Sequence, residues 1–284
     1  MPAAVPIAVA AAVGSALAAS RVKKSRRDGL AVTMHTLPWR GERRVRVVHL
    51  TDIHVGISTP KRVLDRVADI VRSLEHDVVV LTGDYVNMST FYAKRITDFV
   101  SALPKPCVAT LGNHDHWASA SRITRALEAG GACVLRNQSV VAAGLVIVGV
   151  DDGHTGNADV DRAFSDVDER DRDRALVLSH FPNTADAIAK KGARLVLSGH
   201  THAGQVDVPR VMPFLARLAG NPYLRGFHRI GAKTDLYVNA GIGHSLAGLR
   251  GGRTAPEIAV FDLDPRARAR KSVVLRAAWR KREA

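Results

Sequence analysis

Two cysteines, Cys107 and Cys133, are the whole thiol content of a 284-residue chain. With no spaced cysteine pairs there is neither a disulfide framework nor a thiolate zinc site to read. Aromatic residues are scarce, at 5%, which argues against a surface of stacked rings for single-stranded nucleic acid. The 23 glycines and 12 prolines are too few for a collagen-like or low-complexity chain. No internal repeat is evident, and no Ser/Gly linker divides the chain. Acidic residues are also in short supply, 27 against 41 Lys and Arg, leaving a net charge of +14. Such an excess points to nucleic acid, an anionic membrane or acidic substrates.

The position of the charge separates these options. Five cations, Arg21, Lys23, Lys24, Arg26 and Arg27, fall within seven residues, and the tail 265–284 holds eight basic residues against Glu283. The intervening 28–264 carries 28 basic and 26 acidic residues and is nearly neutral. A nucleic-acid-binding core would carry its own basic stripe, so nucleic acid is not an expected partner. The ends instead suit an anionic membrane surface.

Residues 1–20 contain no charged side chain, and the run 3–19 is broken only by Pro6, Gly14 and Ser15. It fits a transmembrane anchor of minimal length, a cleaved signal peptide ending near Ala16-Leu17-Ala18, or an alanine-rich surface helix. The five cations that follow favour the anchor and place the body of the protein in the cytoplasm, with export as the alternative. The expected division is an N-terminal apolar segment with its basic flank, 1–27, one catalytic domain, 28–264, and a basic tail, 265–284.

From Arg44 onward strands and helices alternate, the pattern of layered α/β architecture. Strands are expected at 45–51, 77–82 and 107–111, with helices at about 61–74 and 90–103. Short apolar runs at 140–142, 145–150, 175–179, 195–198, 236–239 and 258–263 read as further strands. The charged stretch 159–173 reads as an exposed loop or helix face, and 208–233, mixing apolar residues with arginines, as a substrate flap or a packed surface loop.

Polar clusters end several of these strands: Asp52-Ile53-His54, Gly83-Asp84, Gly112-Asn113-His114-Asp115, Ser179-His180 and Ser198-Gly199-His200-Thr201-His202. In α/β sheets the loops at strand C-termini converge on one crevice. Asp52, His54, Asp84, Asn113, His180, His200 and His202 are seven metal-ligating side chains, too many for one ion and suited to two if a carboxylate bridges. Two divalent ions about 4 Å apart clamp an anionic ester and activate water, the arrangement of phosphoryl hydrolysis. Mixed nitrogen and oxygen ligands suit Mn, Fe or Zn.

These five blocks, in this order, resemble the calcineurin-like metallophosphoesterases over about residues 45–263. The resemblance implies a four-layer α/β/β/α sandwich with a dinuclear site at the sheet edge. It implies that Asp52, His54 and His202 hold one ion and Asn113, His180 and His200 the other, with Asp84 bridging. It makes His114 the group that protonates the leaving oxygen, and Asp115 the residue that orients His114. The blocks around Asp52, Asp84, Asp151 and Asn239 are similar to the bacterial membrane-associated branch, which implies a phosphodiester or pyrophosphate substrate, plausibly lipid-linked such as UDP-2,3-diacylglucosamine. A metal-free binding scaffold and a nuclease are the alternatives; the complete ligand set speaks against the first and the neutral core against the second.

Overall fold

The computed structural model describes residues 30–57, 59–204, 220–244 and 255–277. The apolar segment and basic flank, the first part of the flap region (208–219) and the end of the basic tail lie outside the described residues. Among those described, no helix is long and apolar enough to cross a membrane.

Three strands form the centre of the first sheet: β2 (Val45–Leu50), β3 (Val78–Thr82) and β4 (Cys107–Thr110), all parallel. Their near-continuous apolar sequences follow from burial on both faces. The outer face is covered by α1 (Lys61–Ser73), α2 (Ala93–Ala102) and α3 (Asn113–Ala129). Leu64, Val67, Ala68 and Val71 of α1 recur at helical spacing and are buried, while its charged positions face solvent. The sheet continues through β12 (Glu257–Asp264), β1 (Leu30–Pro38) and β13 (Lys271–Ala277) on one side and β5 (Cys133–Val134) on the other, in the order β13-β1-β12-β2-β3-β4-β5.

A second sheet has the order β10-β11-β9-β8-β7-β6, built from β6 (Gln138–Ala142), β7 (Leu145–Val150), β8 (Leu176–Ser179), β9 (Leu195–Ser198), β10 (Gly226–Ile230) and β11 (Thr234–Val238). The period of two along each strand distributes side chains between layers. Val47, Val80 and Val108 meet Ile147, Leu176, Leu178 and Leu197 between the sheets. Val48, Val79 and Ala109 face the first group of helices. Val148, Val177 and Val196 face Phe164, Ala185 and Ile188 on the far side, where α4 (Val160–Ala163) and α5 (Ala185–Lys190) pack. The layers therefore run α/β/β/α.

Expected strands lie within one residue of those observed, except that β6 and β11 begin two residues earlier. The helix expected at 90–103 opens with a 3-10 turn, Thr90–Tyr92, capped by the Ser89 hydroxyl, which accepts from Phe91 N. The stretch 159–173 is less exposed than its charges suggest, because Ala163, Phe164 and Val167 are buried against the second sheet. Within the basic tail, β13 pairs antiparallel with β1 as an edge strand.

Candidate metal centre

The chain turns sharply as it leaves strands β2, β3 and β9, and non-glycine residues occupy the left-handed backbone region there: Asp52 (φ 51°), His54 (φ 46°), Asp84 (φ 56°), His200 (φ 71°) and His202 (φ 49°). Each such residue costs on the order of 1 kcal/mol or more and persists only where its surroundings hold it. Main-chain bonds supply that hold: Asp52 N donates to Gly83 O at 3.0 Å, His54 N to Asp84 O at 3.0 Å, and Gly243 N to Asp52 O at 2.7 Å. Two glycines permit the close approach. A Cβ on Gly112 would overlap the Asp84 carboxylate and its backbone nitrogen, and one on Gly199 would overlap the side chains of Thr51 and Asp52.

These turns gather the expected ligands into two overlapping groups. Asp52, His54, Asp84 and His202 present donor atoms all within 4.8 Å of one another, and so do Asp84, His180 and His200. Asp84 belongs to both. His54 Nε2 and His202 Nε2 are 3.0 Å apart, and His202 Nε2 is 3.3 Å from Asp52 Oδ1. His180 Nε2 approaches Asp84 Oδ2 at 3.2 Å but, though fully enclosed, makes no aligned hydrogen bond. Asn113 Oδ1 lies 2.9 Å from His200 Nδ1, which brings the seventh expected residue to the second group.

The second ring nitrogens explain the aim of these imidazoles. His54 Nδ1 faces Val86 O at 3.1 Å and His180 Nδ1 faces Thr82 O at 2.6 Å. A carbonyl accepts only from N–H, so Nδ1 carries a proton in both rings and Nε2 is the nitrogen turned inward, as in metal-ligating histidines. Burial pushes His54 down to about 4, and burial with the charge of His180 pushes His200 down to about 3, keeping both neutral. Burial opposes ionisation of Asp84, but His180 outweighs it and holds the carboxyl well below the usual range. An enclosed set of carboxylates and inward-turned ring nitrogens is a donor set for divalent cations, and the residues fit two ions sharing Asp84.

The chain matches the calcineurin-like phosphoesterase family over residues 45–204. It belongs to that family. The metallophosphoesterase is 30% identical over 228 residues to the uncharacterised metallophosphoesterase YkuE of Bacillus subtilis, covering 77% of this chain and 78% of that one. It is 30% identical to the phosphodiesterase YaeI of Escherichia coli, covering 77% and 82%, and 28% identical to the UDP-2,3-diacylglucosamine pyrophosphatase LpxG of Chlamydia muridarum, covering 70% and 78%. In some other relatives the match spans 55% of a longer chain.

His114 of this phosphoesterase stands beside the shared carboxylate: its backbone N donates to Asp84 Oδ1 at 3.0 Å, and its Nε2 lies 4.0 Å from Asp84 Oδ2. The expectation that Asp115 orients it is corrected by the geometry. His114 Nδ1 bonds the carbonyl of Asn87. Asp115, fully buried, accepts from Gly112 N (2.9 Å), Asp84 N (2.8 Å) and Tyr85 N (2.9 Å). As the N3 residue of α3 it folds back to the Gly112 N–H at the helix start, one half of a capping box, and also ties the Asp84 turn to the Asn113 turn.

Other residues of the phosphoesterase site carry weaker sequence signals. Trp117 packs its ring 4.8 Å from His114, and His154 and Phe181 each stand 5.1 Å from His200. In the sequence His154 is only a histidine in a glycine-rich turn. Glu257, buried at the start of β12, accepts from Thr33 Oγ1 (2.6 Å), Tyr237 OH (2.5 Å) and Ala240 N (3.0 Å), and so fixes the 239–243 loop that lies on Asp52. Nothing in a single sequence marks such a brace.

Proposed function

We propose that this metallophosphoesterase hydrolyses phosphodiester or pyrophosphate bonds at a pair of divalent ions, with a lipid-linked pyrophosphate such as UDP-2,3-diacylglucosamine as its substrate. The observation that carries the reading is Asp84, a carboxylate common to two enclosed donor groups. The names of YaeI and LpxG support the substrate class, since one is a phosphodiesterase and the other a pyrophosphatase.

In this reading Asp52, His54 and His202 hold one ion, Asn113, His180 and His200 the other, and Asp84 both. When bound, the ions supply Lewis-acid stabilisation of charge on the phosphoryl oxygens and a lowered pKa for water. The chain does the rest. Thr82 and Val86 carbonyls keep two imidazoles aimed inward, and the helix start at Gly112 keeps Asn113 beside His200. His114, its Nδ1–H fixed on Asn87 O, presents Nε2 to the cleft. In the imidazolium form that nitrogen donates its proton to the departing oxygen as the P–O bond breaks.

The test is reconstitution. Chelator-stripped protein is loaded with Mn, Fe or Zn, bound metal is counted by mass spectrometry, and hydrolysis of bis(p-nitrophenyl) phosphate and of UDP-2,3-diacylglucosamine is followed. Two ions per chain are expected in the wild type. Asp84→Asn should lose metal and turnover together, while His114→Ala should keep both ions and lose about 10²- to 10⁴-fold in rate. Full activity in Asp84→Asn would refute the shared-carboxylate reading, and metal-loaded protein inert toward every phosphoester would favour a binding scaffold.

A further inference from the structure

Among the described residues, four of the exposed large apolar side chains share one end of the molecule: Ile57 (90% exposed), Met88 (65%), Phe91 (83%) and Trp117 (49%). They sit on the connections after β2, β3 and β4, the same three that carry Asp52 and His54, Asp84, and Asn113 and His114. These connections are knit together. Val55 bridges to Val86, Gly56 lies against the Tyr92 ring, Arg122 donates to Thr90 Oγ1 at 3.3 Å, and Trp117 packs on His114. The result is an apolar rim along the first-sheet side of the metal centre. The other exposed large apolar residues, Val141 and Val273 to Leu275, are on edge strands β6 and β13.

The described chain enters at this same end. β1 is parallel to β12 and β12 antiparallel to β2, so Leu30 lies toward the C-terminal end of β2. Contacts run from one to the other: Ala31 pairs with Glu257, Glu257 N donates to Gly241 O, and Ile242 N donates to Thr51 O. Two strand spacings separate β1 from β2, or roughly 10 Å. In sequence, Leu30 is preceded by Arg21, Lys23, Lys24, Arg26 and Arg27 and, before them, by the uncharged apolar run. Rim, centre and the attachment point of a strongly basic segment are therefore within a short distance of one another.

We propose that this end docks on an anionic lipid surface, with Ile57, Met88, Phe91 and Trp117 entering the interface and the cations that precede Leu30 in sequence supplying attraction to anionic headgroups. Large exposed apolar side chains beside a site mark an interaction surface, and cations clustered in sequence just before the point where the described chain enters select an anionic one. The docking extends the lipid-linked substrate reading, because it brings the centre to headgroup depth, where a phosphate ester of an anchored lipid lies. The basic turn at Arg266 and Arg268, between β12 and β13, is at the opposite end and would face away from the membrane.

The full chain is tested in a Cys133→Ser background with nitroxide labels on Ile57→Cys, Phe91→Cys or, at the opposite end, Ala269→Cys. On vesicles of phosphatidylcholine with phosphatidylglycerol, labels at 57 and 91 should become accessible to oxygen and shielded from a water-soluble nickel complex, while the label at 269 stays in water. No association with these vesicles, equal water exposure of all three labels, or burial of 269 instead would overturn the docking. Hydrolysis of bis(p-nitrophenyl) phosphate by the same proteins reports a folded centre, and its absence in the wild type counts against the proposed function without touching the orientation. The double variant Ile57→Ser, Phe91→Ser should turn over vesicle-borne lipid pyrophosphate about tenfold more slowly, with the aryl diester unchanged; equal loss on both substrates would count against the rim.

Discussion

Replacing Asp115 with asparagine isolates the brace between the two metal-ligand turns. The carboxylate accepts three backbone N–H groups at 2.8–2.9 Å, from Gly112, Asp84 and Tyr85, and is itself fully buried. An asparagine keeps one acceptor oxygen and turns an NH2 group toward the remaining donors. At least one charge-assisted bond is lost and one buried N–H is left unsatisfied, each worth about 1–3 kcal/mol, for a total of about 3 kcal/mol. Against a usual stability of about 5–15 kcal/mol this is a large fraction, and at about 2–4 °C per kcal/mol it lowers Tm by about 6–12 °C. Urea unfolding at unchanged m measures the loss. Because two of the three donors flank Asp84 and Asn113, metal affinity should fall with stability, as read by competition with a chromophoric chelator. A variant with wild-type midpoint and wild-type metal affinity would refute the reasoning. One that altered only the pH profile of turnover would mean that Asp115 acts through His114 after all.

Gly199→Ala should weaken metal binding at least tenfold, since its Cβ would displace the Asp52 carboxylate; isothermal titration checks it. Glu257→Gln should cost about 2–3 kcal/mol by disturbing a buried acceptor of three donors, and chemical denaturation gives the number. Burial and Arg270 hold His35 down to about 4, and burial holds His49 down to about 3, whereas both titrate near 6.5 when unfolded. The unfolded chain then binds more protons below about pH 6.5, so stability is complete above that pH and falls toward pH 4 by about 1.4 kcal/mol per unit for each histidine. Urea midpoints at about pH 7 and about pH 5 test the sign, and a midpoint that rose on acidification would contradict it. Chelation should lower Tm, because ions that bind only the folded chain stabilise it by mass action.

Much of the sandwich was legible because its central strands announce themselves. Val78–Thr82 and Leu195–Ser198 are apolar on both faces and stop at polar clusters, so strand, boundary and candidate ligand appear together. What escaped notice had its signal masked. The helix Asn113–Ala129 opens on the ligand block itself, and its buried stripe, Ile123, Ala126 and Leu127, begins only past the kink at Ser119. β13 lies in a basic tail and shows its valines to solvent, as an edge strand does. Ligand types were readable from strand ends, but supporting contacts are not local in sequence: Asn87 holds His114 from 27 residues away and Glu257 braces Thr33 from 224 away. The sequence neighbour Asp115 was the natural choice to orient His114, and the helix start gave it other work.

Each donor group draws on both sheets. Asp52, His54 and Asp84 follow strands of the first, and His180, His200 and His202 follow strands of the second, so any ion held in either group is a cross-link through the seam of the sandwich. His54 and His202 are 148 residues apart, so unfolding with an ion still bound would leave a closed loop of that size, on the order of 5 kcal/mol poorer in chain entropy than the open chain in the polymer picture. The metal pair would then act as a rivet. Opening the seam between the sheets would require release of the ions, so the lifetime of the folded protein, and not only its turnover, would be set by how slowly they leave.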